Sequence, residues 1–221
     1  MFKKGHCRIC NSPAFFLFDE KRPFFVCKLC GLIFSYNLVS VEETEKHYKN
    51  QYIHEVDWHA EARSILEFLG IAKGPLRIFD FGSGSGRLSD ALRSMGFHVD
   101  NYEPMIDGNF EGRTYQSNYD LVILNQVIEH VEDILKTTEN VFSLTRPGGI
   151  IFITTLMTDE MINDPENFQE LFKSWWYKDD PTHISFFCTR SFEYICELKD
   201  RFQLQLIATN SNCAILQRLI N

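Results

Sequence analysis

Apolar runs and segments of helical periodicity alternate along most of this chain. Four continuous apolar runs predict buried strands, and two stretches with a helical period follow the first and the third of them. The strands are Leu76–Phe81, Phe97–Tyr102, Asp120–Leu124 and Ile150–Thr155, and the helices are Gly84–Met95 and Val131–Leu144. Strands that alternate with helices predict an α/β domain built on a parallel sheet.

The last part of the chain has a different pattern. Gln203–Thr209 and Cys213–Leu219 predict two strands, which are joined by the turn residues Asn210–Asn212 and therefore form a hairpin. Such a hairpin adds one antiparallel strand to the sheet. A weak strand is also predicted at Thr114–Gln116. Asp164-Pro165 predicts a helix with Pro at its first position, and Ser191 or Thr189 is predicted to cap the next helix.

The first seventy residues are organised in shorter pieces. Two short strands, Ala14–Phe18 and Phe24–Val26, are separated by a polar turn. Ser40 and Glu43 have the spacing of a capping box, which predicts a helix from Ser40 to about Tyr52, and a second helix is expected over Trp58–Leu69. We therefore expect a ribbon over residues 1–36, a helical linker or lid over 37–72 and the α/β domain over 73–221.

Four of the seven cysteines define the ribbon. Cys7, Cys10, Cys27 and Cys30 form the pattern C-x2-C-x16-C-x2-C. Each C-x-x-C turn can aim two thiolates at one ion, and two such turns complete a tetrahedral zinc site. A closed site of four sulfurs has a structural or recognition role rather than a catalytic one. The other three, Cys188, Cys196 and Cys213, are expected to be buried small apolar side chains.

Charge and composition argue against some classes of function. The chain has 221 residues, 44% of them hydrophobic, and a net charge of −8. Residues 1–34 carry +4 and the remainder −12. An acidic body argues against a broad nucleic-acid interface, although the basic ribbon leaves a local one possible. Without an apolar run of ~20 residues or an export signal, we expect a soluble, cytoplasmic protein that does not bind membranes.

The segment Asp80–Gly86 carries the main candidate chemistry. Gly82, Gly84 and Gly86 alternate directly after a strand, so the backbone can turn sharply and approach a ligand. Glu103 follows Gly82 by 21 residues and ends the second strand, where an acidic residue can bind ribose hydroxyls. Nicotinamide dinucleotide sites need G-x-G-x-x-G, with the last glycine one position later than here.

The D-x-G-x-G-x-G spacing instead resembles the first motif of class I S-adenosylmethionine-dependent methyltransferases. Tyr119–Val131, with the pair Glu129-His130, resembles the fourth-strand motif of the ubiquinone-biosynthesis-like (type 23) subgroup, and Arg146–Gly149 matches the turn before the fifth strand. The resemblance implies a Rossmann-like sheet of seven strands. It also implies S-adenosylmethionine as cofactor, bound by Asp80, Gly82, Ser83, Gly84, Gly86, Glu103, Asn125, Gln126 and Tyr52. In that assignment Tyr52, with Tyr48 one helical turn before it, closes the cofactor site.

One stretch departs from the family's pattern. Only 16 residues, Pro104–Tyr119, follow Glu103 before Asp120, whereas the family fits a helix, a third strand and a second connection into this interval. No residue pair for reading the adenine is evident there. Tyr115-Gln116 is the nearest candidate.

Three residues are candidates for the acceptor side. His183 lies in a segment similar to the H-x-x-F-F stretch of the same subgroup, and a histidine can act as general base or merely hold the loop. Glu129 and His130 either lie near the substrate and bind a divalent ion, or charge and cap the start of the following helix. Gln126 stands where relatives have a further carboxylate, which weakens the metal alternative.

The resemblance implies methyl transfer to an O, N or C nucleophile of a small metabolite or glycan precursor. Two alternatives remain open. One is an rRNA or tRNA methyltransferase that recognises RNA through its basic ribbon. The other is a non-catalytic interaction protein that binds S-adenosylmethionine and zinc. The oligomeric state is left open.

Overall fold

The computed structural model of the protein describes residues 5–40, 42–44, 56–72 and 74–220. Ten strands lie within these ranges; four of them form a small sheet in the ribbon and six form the main sheet. They are β1 (Phe15–Asp19), β2 (Pro23–Val26), β3 (Ile33–Phe34), β4 (Arg77–Phe81), β5 (His98–Tyr102), β6 (Tyr119–Asn125), β7 (Thr145–Thr154), β8 (Ser185–Phe186), β9 (Leu204–Thr209) and β10 (Cys213–Arg218).

The main sheet has six strands in the order β5-β4-β6-β7-β10-β9. Strands β4 to β7 are parallel, and β10 lies antiparallel between β7 and β9. This confirms the predicted α/β architecture and the terminal antiparallel hairpin. The carboxyl ends of β4, β5 and β6 therefore meet at one edge, where the glycine loop follows β4, Glu103 follows β5 and Asn125 ends β6.

Helices cover both faces of this sheet. They are α1 (Trp58–Phe68), α2 (Arg87–Ser94), α3 (Pro104–Asp107), α4 (Ile134–Leu144), α5 (Asp159–Ile162), α6 (Phe168–Ser174) and α7 (Thr189–Glu197). Helices α1 and α2 pack on the face that carries Ile78, Ile123 and Phe152, whereas α4 and α7 pack on the opposite face. Among the described residues, no helix has the length and apolar character required to cross a bilayer.

The predicted third strand is wrong, and the sheet has six strands in the described residues rather than seven. Thr114–Gln116 is irregular, because a parallel connection needs about a dozen residues for each crossover and this interval is too short for two. A cluster of aromatic side chains occupies the place of the predicted third strand. Phe110 stacks on Tyr115 at a ring distance of 5.2 Å, and Tyr115 meets Phe79 edge-on at 4.9 Å.

Several predicted helix boundaries are also corrected. Helix α4 begins at Ile134, where Asp133 accepts a hydrogen bond from the Lys136 N–H, so Glu129 and His130 lie in the preceding turn and do not cap it. Pro165 does not start a helix, since α6 begins at Phe168. Cys188 rather than Thr189 is the N-cap residue of α7, and Ser191 takes part in the cap as its third residue, because its Oγ accepts a hydrogen bond from the Cys188 N–H over 3.3 Å.

The ribbon sheet has the order β1-β2-β3-β8, and all of its pairs are antiparallel. Strand β8 comes from the segment after His183, so the ribbon shares a sheet with the body. The capping box is confirmed, because the Glu43 N–H donates to Ser40 Oγ over 3.2 Å and the Ser40 N–H to Glu43 Oε2 over 3.1 Å. The boundaries of the three predicted parts remain a prediction.

Candidate functional site

The four ribbon cysteines converge as predicted. Their Sγ atoms all lie within 4.8 Å of one another, with 3.4 Å between Cys7 and Cys30 and 3.3 Å between Cys10 and Cys27. Bonds of about 2.3 Å to a tetrahedral zinc place neighbouring sulfurs about 3.8 Å apart. Three of the four are buried. The donor set and its spacing fit one structural zinc ion.

The glycine loop has the backbone that its spacing predicts. Gly82, Gly84 and Gly86 have φ values of +76°, +53° and +77°, which are left-handed conformations that favour glycine. The Gly82 and Ser83 N–H groups donate to the Tyr102 carbonyl oxygen over 2.7 and 3.0 Å. The loop is therefore fixed against the end of β5 and opens towards the carboxyl edge of the sheet.

Glu103 is joined to this loop directly. Its Oε2 accepts a hydrogen bond from the Gly84 N–H over 2.8 Å, and its Oε1 accepts one from the Met105 N–H over 3.1 Å. As the first residue after β5 it also caps α3. The two parts of the predicted cofactor site are thus in contact, although they are 19 residues apart.

Asp80 has a different environment from the other residues predicted to bind the cofactor. It is 1% exposed, and its Oδ2 accepts a hydrogen bond from Ser89 Oγ over 2.6 Å. Burial raises the pKa of this carboxyl group to about 6. Asp80 therefore links β4 to α2 beneath the loop, and a direct contact with a cofactor stays a prediction.

The end of β6 lies beside the glycine loop. A Cβ atom at Gly82 would lie 2.6 Å from Val127 Cγ2, so these two segments are in close contact. Asn125 Oδ1 accepts a hydrogen bond from Thr154 Oγ1 over 2.6 Å. Gln126 has a φ of +55° and its N–H donates to Thr154 Oγ1 over 3.0 Å. That Asn125 and Gln126 line the reacting end of the cofactor stays a prediction.

Glu129 is completely buried in a polar group behind Gln126. Tyr177 Oη donates to Glu129 Oε1 over 2.6 Å, and it lies 3.2 Å from both Gln126 Oε1 and Thr155 Oγ1. Glu129 Oε2 has no hydrogen-bond partner among the described residues. Burial raises the pKa of Glu129 to about 7, so this carboxyl group can exchange a proton near neutral pH.

Two histidines complete this group. The ring centroids of His130 and His183 are 4.7 Å apart. His183 Nδ1 lies 2.8 Å from the Tyr177 carbonyl oxygen, and His130 Nδ1 lies 3.1 Å from that of Thr182. A carbonyl oxygen only accepts, so each Nδ1 carries the proton and each Nε2 can bind a proton or a metal. Glu129, His130 and His183 each offer a ligand atom within 4.8 Å of the others.

The structure thus brings together two clusters of predicted site residues, one at the glycine loop and one around His183. Tyr177, which connects Glu129 to Gln126, was missed as a polar member of the site; only its place in an aromatic segment, Trp175–Tyr177, marked it in the sequence. Tyr52 and Tyr48 lie outside the described residues, so closure of the site by Tyr52 stays a prediction.

Curated relatives match only part of the chain. A ubiquinone biosynthesis O-methyltransferase of Aeromonas salmonicida is 28% identical over 102 residues, which are 36% of this chain and 43% of the relative. The mitochondrial enzyme of the same name from Bos taurus is 26% identical over 106 residues, 37% of this chain and 29% of the relative. The matched region therefore spans less than half the length of these relatives.

Solved structures are similar in fold. The 1,6-didemethyltoxoflavin N1-methyltransferase of Burkholderia thailandensis, solved with bound 1,6-didemethyltoxoflavin and S-adenosylhomocysteine, has a TM-score of 0.53 at 11% identity over 94% of this chain and 100% of its own. A putative S-adenosylmethionine-dependent methyltransferase of Methanococcus maripaludis has a TM-score of 0.52 at 15% identity over 80% of this chain and 92% of its own. These likenesses concern the fold alone.

Two family models match the chain. The model of the TFIIB zinc-binding family matches residues 5–48, which contain the four clustered cysteines. A model described as a methyltransferase domain matches residues 48–207 and so includes the glycine loop, Glu103 and the group around Glu129. Because the second model covers well over half of the sequence, the chain belongs to this methyltransferase domain family.

Proposed function

We propose that this chain transfers a methyl group from S-adenosylmethionine to an O, N or C nucleophile of a small metabolite or glycan precursor. The observation that carries the proposal is the contact between the glycine loop and Glu103, in which the Gly84 N–H donates to Glu103 Oε2 over 2.8 Å. Ligands of open α/β sheets bind at the carboxyl ends of the strands. The S-adenosylhomocysteine bound to the Burkholderia thailandensis enzyme supports the same cofactor here.

S-adenosylmethionine, when bound, supplies a methyl group activated by a sulfonium. The chain's own residues hold and orient it. The backbone of Gly82–Gly86 would hold the methionine end, Glu103 would accept hydrogen bonds from the ribose hydroxyls, and Asn125 and Gln126 would line the reacting end. Nucleophilic displacement at the methyl carbon depends mainly on alignment of the reacting atoms and exclusion of water. The reaction therefore requires no general acid.

His183 is the proposed general base for a hydroxyl or amine acceptor. Its Nδ1–H donates to the Tyr177 carbonyl oxygen, and its Nε2, which lies 3.8 Å from Asp180 Oδ2, is the nitrogen proposed to take up the acceptor's proton. The carboxylate of Asp180 and the ionised form of Glu129 can stabilise the imidazolium that forms, and the His130 ring lies 4.7 Å from that of His183. Glu129, His130 and His183 are also a ligand set for a divalent cation, since metal-bound histidines typically donate their second N–H to a carbonyl.

Binding of the cofactor is the first test. Isothermal titration of the wild type with S-adenosylmethionine should give saturable binding. We expect Glu103→Ala to weaken it about tenfold or more, because a charge-assisted hydrogen bond contributes about 1.5–3 kcal/mol. Glu111→Ala, an exposed acidic residue of the same segment, is the matched control and should bind like the wild type. Absence of binding at millimolar ligand would contradict the proposal.

The acceptor class needs a second experiment. Methyl-labelled S-adenosylmethionine is incubated with a small-metabolite extract and, separately, with total RNA. Label in the small-metabolite fraction that is lost in His183→Ala supports the proposal. Label in RNA, with affinity that falls steeply with salt, would favour the ribbon as an RNA-binding element. Cofactor binding without label in either fraction would favour the non-catalytic alternative.

A further inference from the structure

The turn between β1 and β2 of the ribbon holds the backbone of the segment that precedes His183. Arg22, in this turn, is 8% exposed. Its NH2 group donates to the carbonyl oxygens of Lys178 and Asp180 over 2.7 and 2.8 Å, and its NH1 group donates to that of Pro181 over 2.8 Å. One guanidinium thus satisfies three acceptors within four residues.

A second contact runs in the opposite direction. Lys178 is 3% exposed, and its Nζ lies 3.3 Å from Glu20 Oε2 and 2.9 Å from Asp179 Oδ1. Glu20 belongs to the same turn as Arg22. The ribbon therefore offers a carboxylate to the buried lysine of the segment and guanidinium donors to its carbonyl oxygens, so neither Lys178 nor Arg22 is buried without partners.

The ribbon also holds the chain on the other side of His183. Arg8 NH1 donates to Ser185 Oγ over 3.0 Å, and the Ser35 N–H donates to the Ile184 carbonyl oxygen over 3.1 Å. Strand β3 then pairs with β8, with Phe34 opposite Ser185. Towards the body, the N–H groups of Ile184 and Ser185 donate to the Glu129 carbonyl oxygen over 2.9 and 3.1 Å.

We infer that the ribbon is part of the acceptor side of the site and that Arg22 is a positioning residue, which acts through the segment Lys178–Pro181 on Tyr177 and His183. The inference rests on the proposed function for its catalytic meaning. Because the Tyr177 carbonyl oxygen binds His183 Nδ1, a shift of this segment changes both the phenol that contacts Glu129 and the orientation of the imidazole. Within the described residues, the hydrogen bonds of Arg22 go to Lys178, Asp180 and Pro181 rather than to the glycine loop or Glu103, so we expect its removal to change the affinity for S-adenosylmethionine little.

The shape of the guanidinium matters as well as its charge. Its rigid fork presents several N–H donors in one plane, whereas a lysine ammonium is a point charge on a flexible stem. Lysine at this position can keep the charge but cannot bind all three carbonyl oxygens with the same geometry. Arg22→Lys and Arg22→Gln therefore test the arrangement in steps.

The test uses the full-length, zinc-loaded protein and needs no known acceptor. Amide hydrogen exchange at Ile184 and Ser185 is compared among the wild type, Arg22→Lys and Arg22→Gln, together with the imidazole NMR signals of His183. Lys28→Gln, which removes an exposed ribbon cation that lies over the Phe15 ring, is the matched control. Affinity for S-adenosylmethionine is measured on each variant.

We expect exchange at both amides to be about tenfold faster in Arg22→Gln, with a changed His183 ring signal, and an intermediate result in Arg22→Lys. Lys28→Gln should match the wild type, and the Kd for S-adenosylmethionine should change less than about twofold. Unchanged exchange and ring signals would overturn the inference. Equal acceleration at the β6 amides of Leu121 and Val122 would also overturn it, because that result means general destabilisation. A wild type that fails to bind S-adenosylmethionine contradicts the proposed function but leaves these amide measurements interpretable.

Discussion

At the scale of single residues, Gly82 has two reasons to be glycine, and Gly86 has one. Both have left-handed backbones, but only Gly82 also lies against Val127, whereas nothing lies within 4 Å of a Cβ atom at Gly86. We expect Gly86→Ala to lower the free energy of unfolding by about 1–2 kcal/mol and Gly82→Ala to lower it by about 1–3 kcal/mol more. Urea denaturation of both variants, with and without Val127→Ala, measures the difference. If the two glycine substitutions cost the same free energy of unfolding in the protein that retains Val127, the close packing of these two segments would be contradicted.

Asp80 predicts a pH dependence of stability. Its pKa is about 6 in the folded protein and about 3.9 in an unfolded chain, so folding favours the protonated form. The resulting stabilisation is complete below about pH 4 and is lost as the pH rises through 6. Asp80→Asn removes this dependence while its amide oxygen can still accept from Ser89. Relative to the wild type, the variant should gain about 2 kcal/mol between pH 4 and pH 7.5 in urea denaturation; a constant difference across this range would be incompatible with a buried, protonatable Asp80.

At the scale of elements, the sequence predicts those parts whose signals are local. The continuous apolar runs of β4 and β7 predict these two strands. The alternate glycines predict the conformation of the loop, because glycine readily adopts a left-handed backbone. The third strand does not form, because the chain between Glu103 and Asp120 is too short for a parallel strand with both of its connections. This limit on length outweighs a weak local strand propensity. The helix predicted from Val131 begins at Ile134, and Glu129, which precedes it, is held by a tertiary partner. That partner, Tyr177, is 48 residues away, and no local pattern connects the two.

The aromatic group that stands in place of the third strand carries an element-scale prediction. Phe110 is half-buried and contacts Phe81 and Tyr102, with ring distances of 5.5 and 5.2 Å, in addition to Tyr115. Phe110→Ala should lower the free energy of unfolding by about 2–4 kcal/mol, measured by urea denaturation. Met105→Ala removes an exposed apolar side chain of the same segment and should have an effect below about 0.5 kcal/mol. Similar effects of the two substitutions would show that the segment is not held by its rings.

At the scale of the whole molecule, the ribbon and the body share one core. Cys7 and Phe34 of the ribbon belong to the same buried cluster as Phe187 and Phe192 of the body. Ser191 Oγ in α7 donates to the carbonyl oxygen of the zinc-site residue Cys30 over 2.9 Å. With β8 paired to β3, these contacts make the ribbon a layer of the folded unit rather than an attached module. A ribbon built this way cannot lose its structure without exposing apolar surface of the body.

Zinc removal should therefore destabilise the entire protein in one cooperative step. Structural zinc contributes on the order of 10 kcal/mol to the folding of small sites, and 1 kcal/mol shifts the Tm of a domain of this size by about 2–4 °C. We expect differential scanning calorimetry to give one transition, which a chelator or Cys10→Ser lowers by about 10 °C or more. Cys213→Ser replaces a buried cysteine outside the cluster and should keep the full response to the chelator. Two transitions, with the upper one insensitive to chelation, would instead mean that the body folds without the ribbon, and the shared core would then contribute little to its stability.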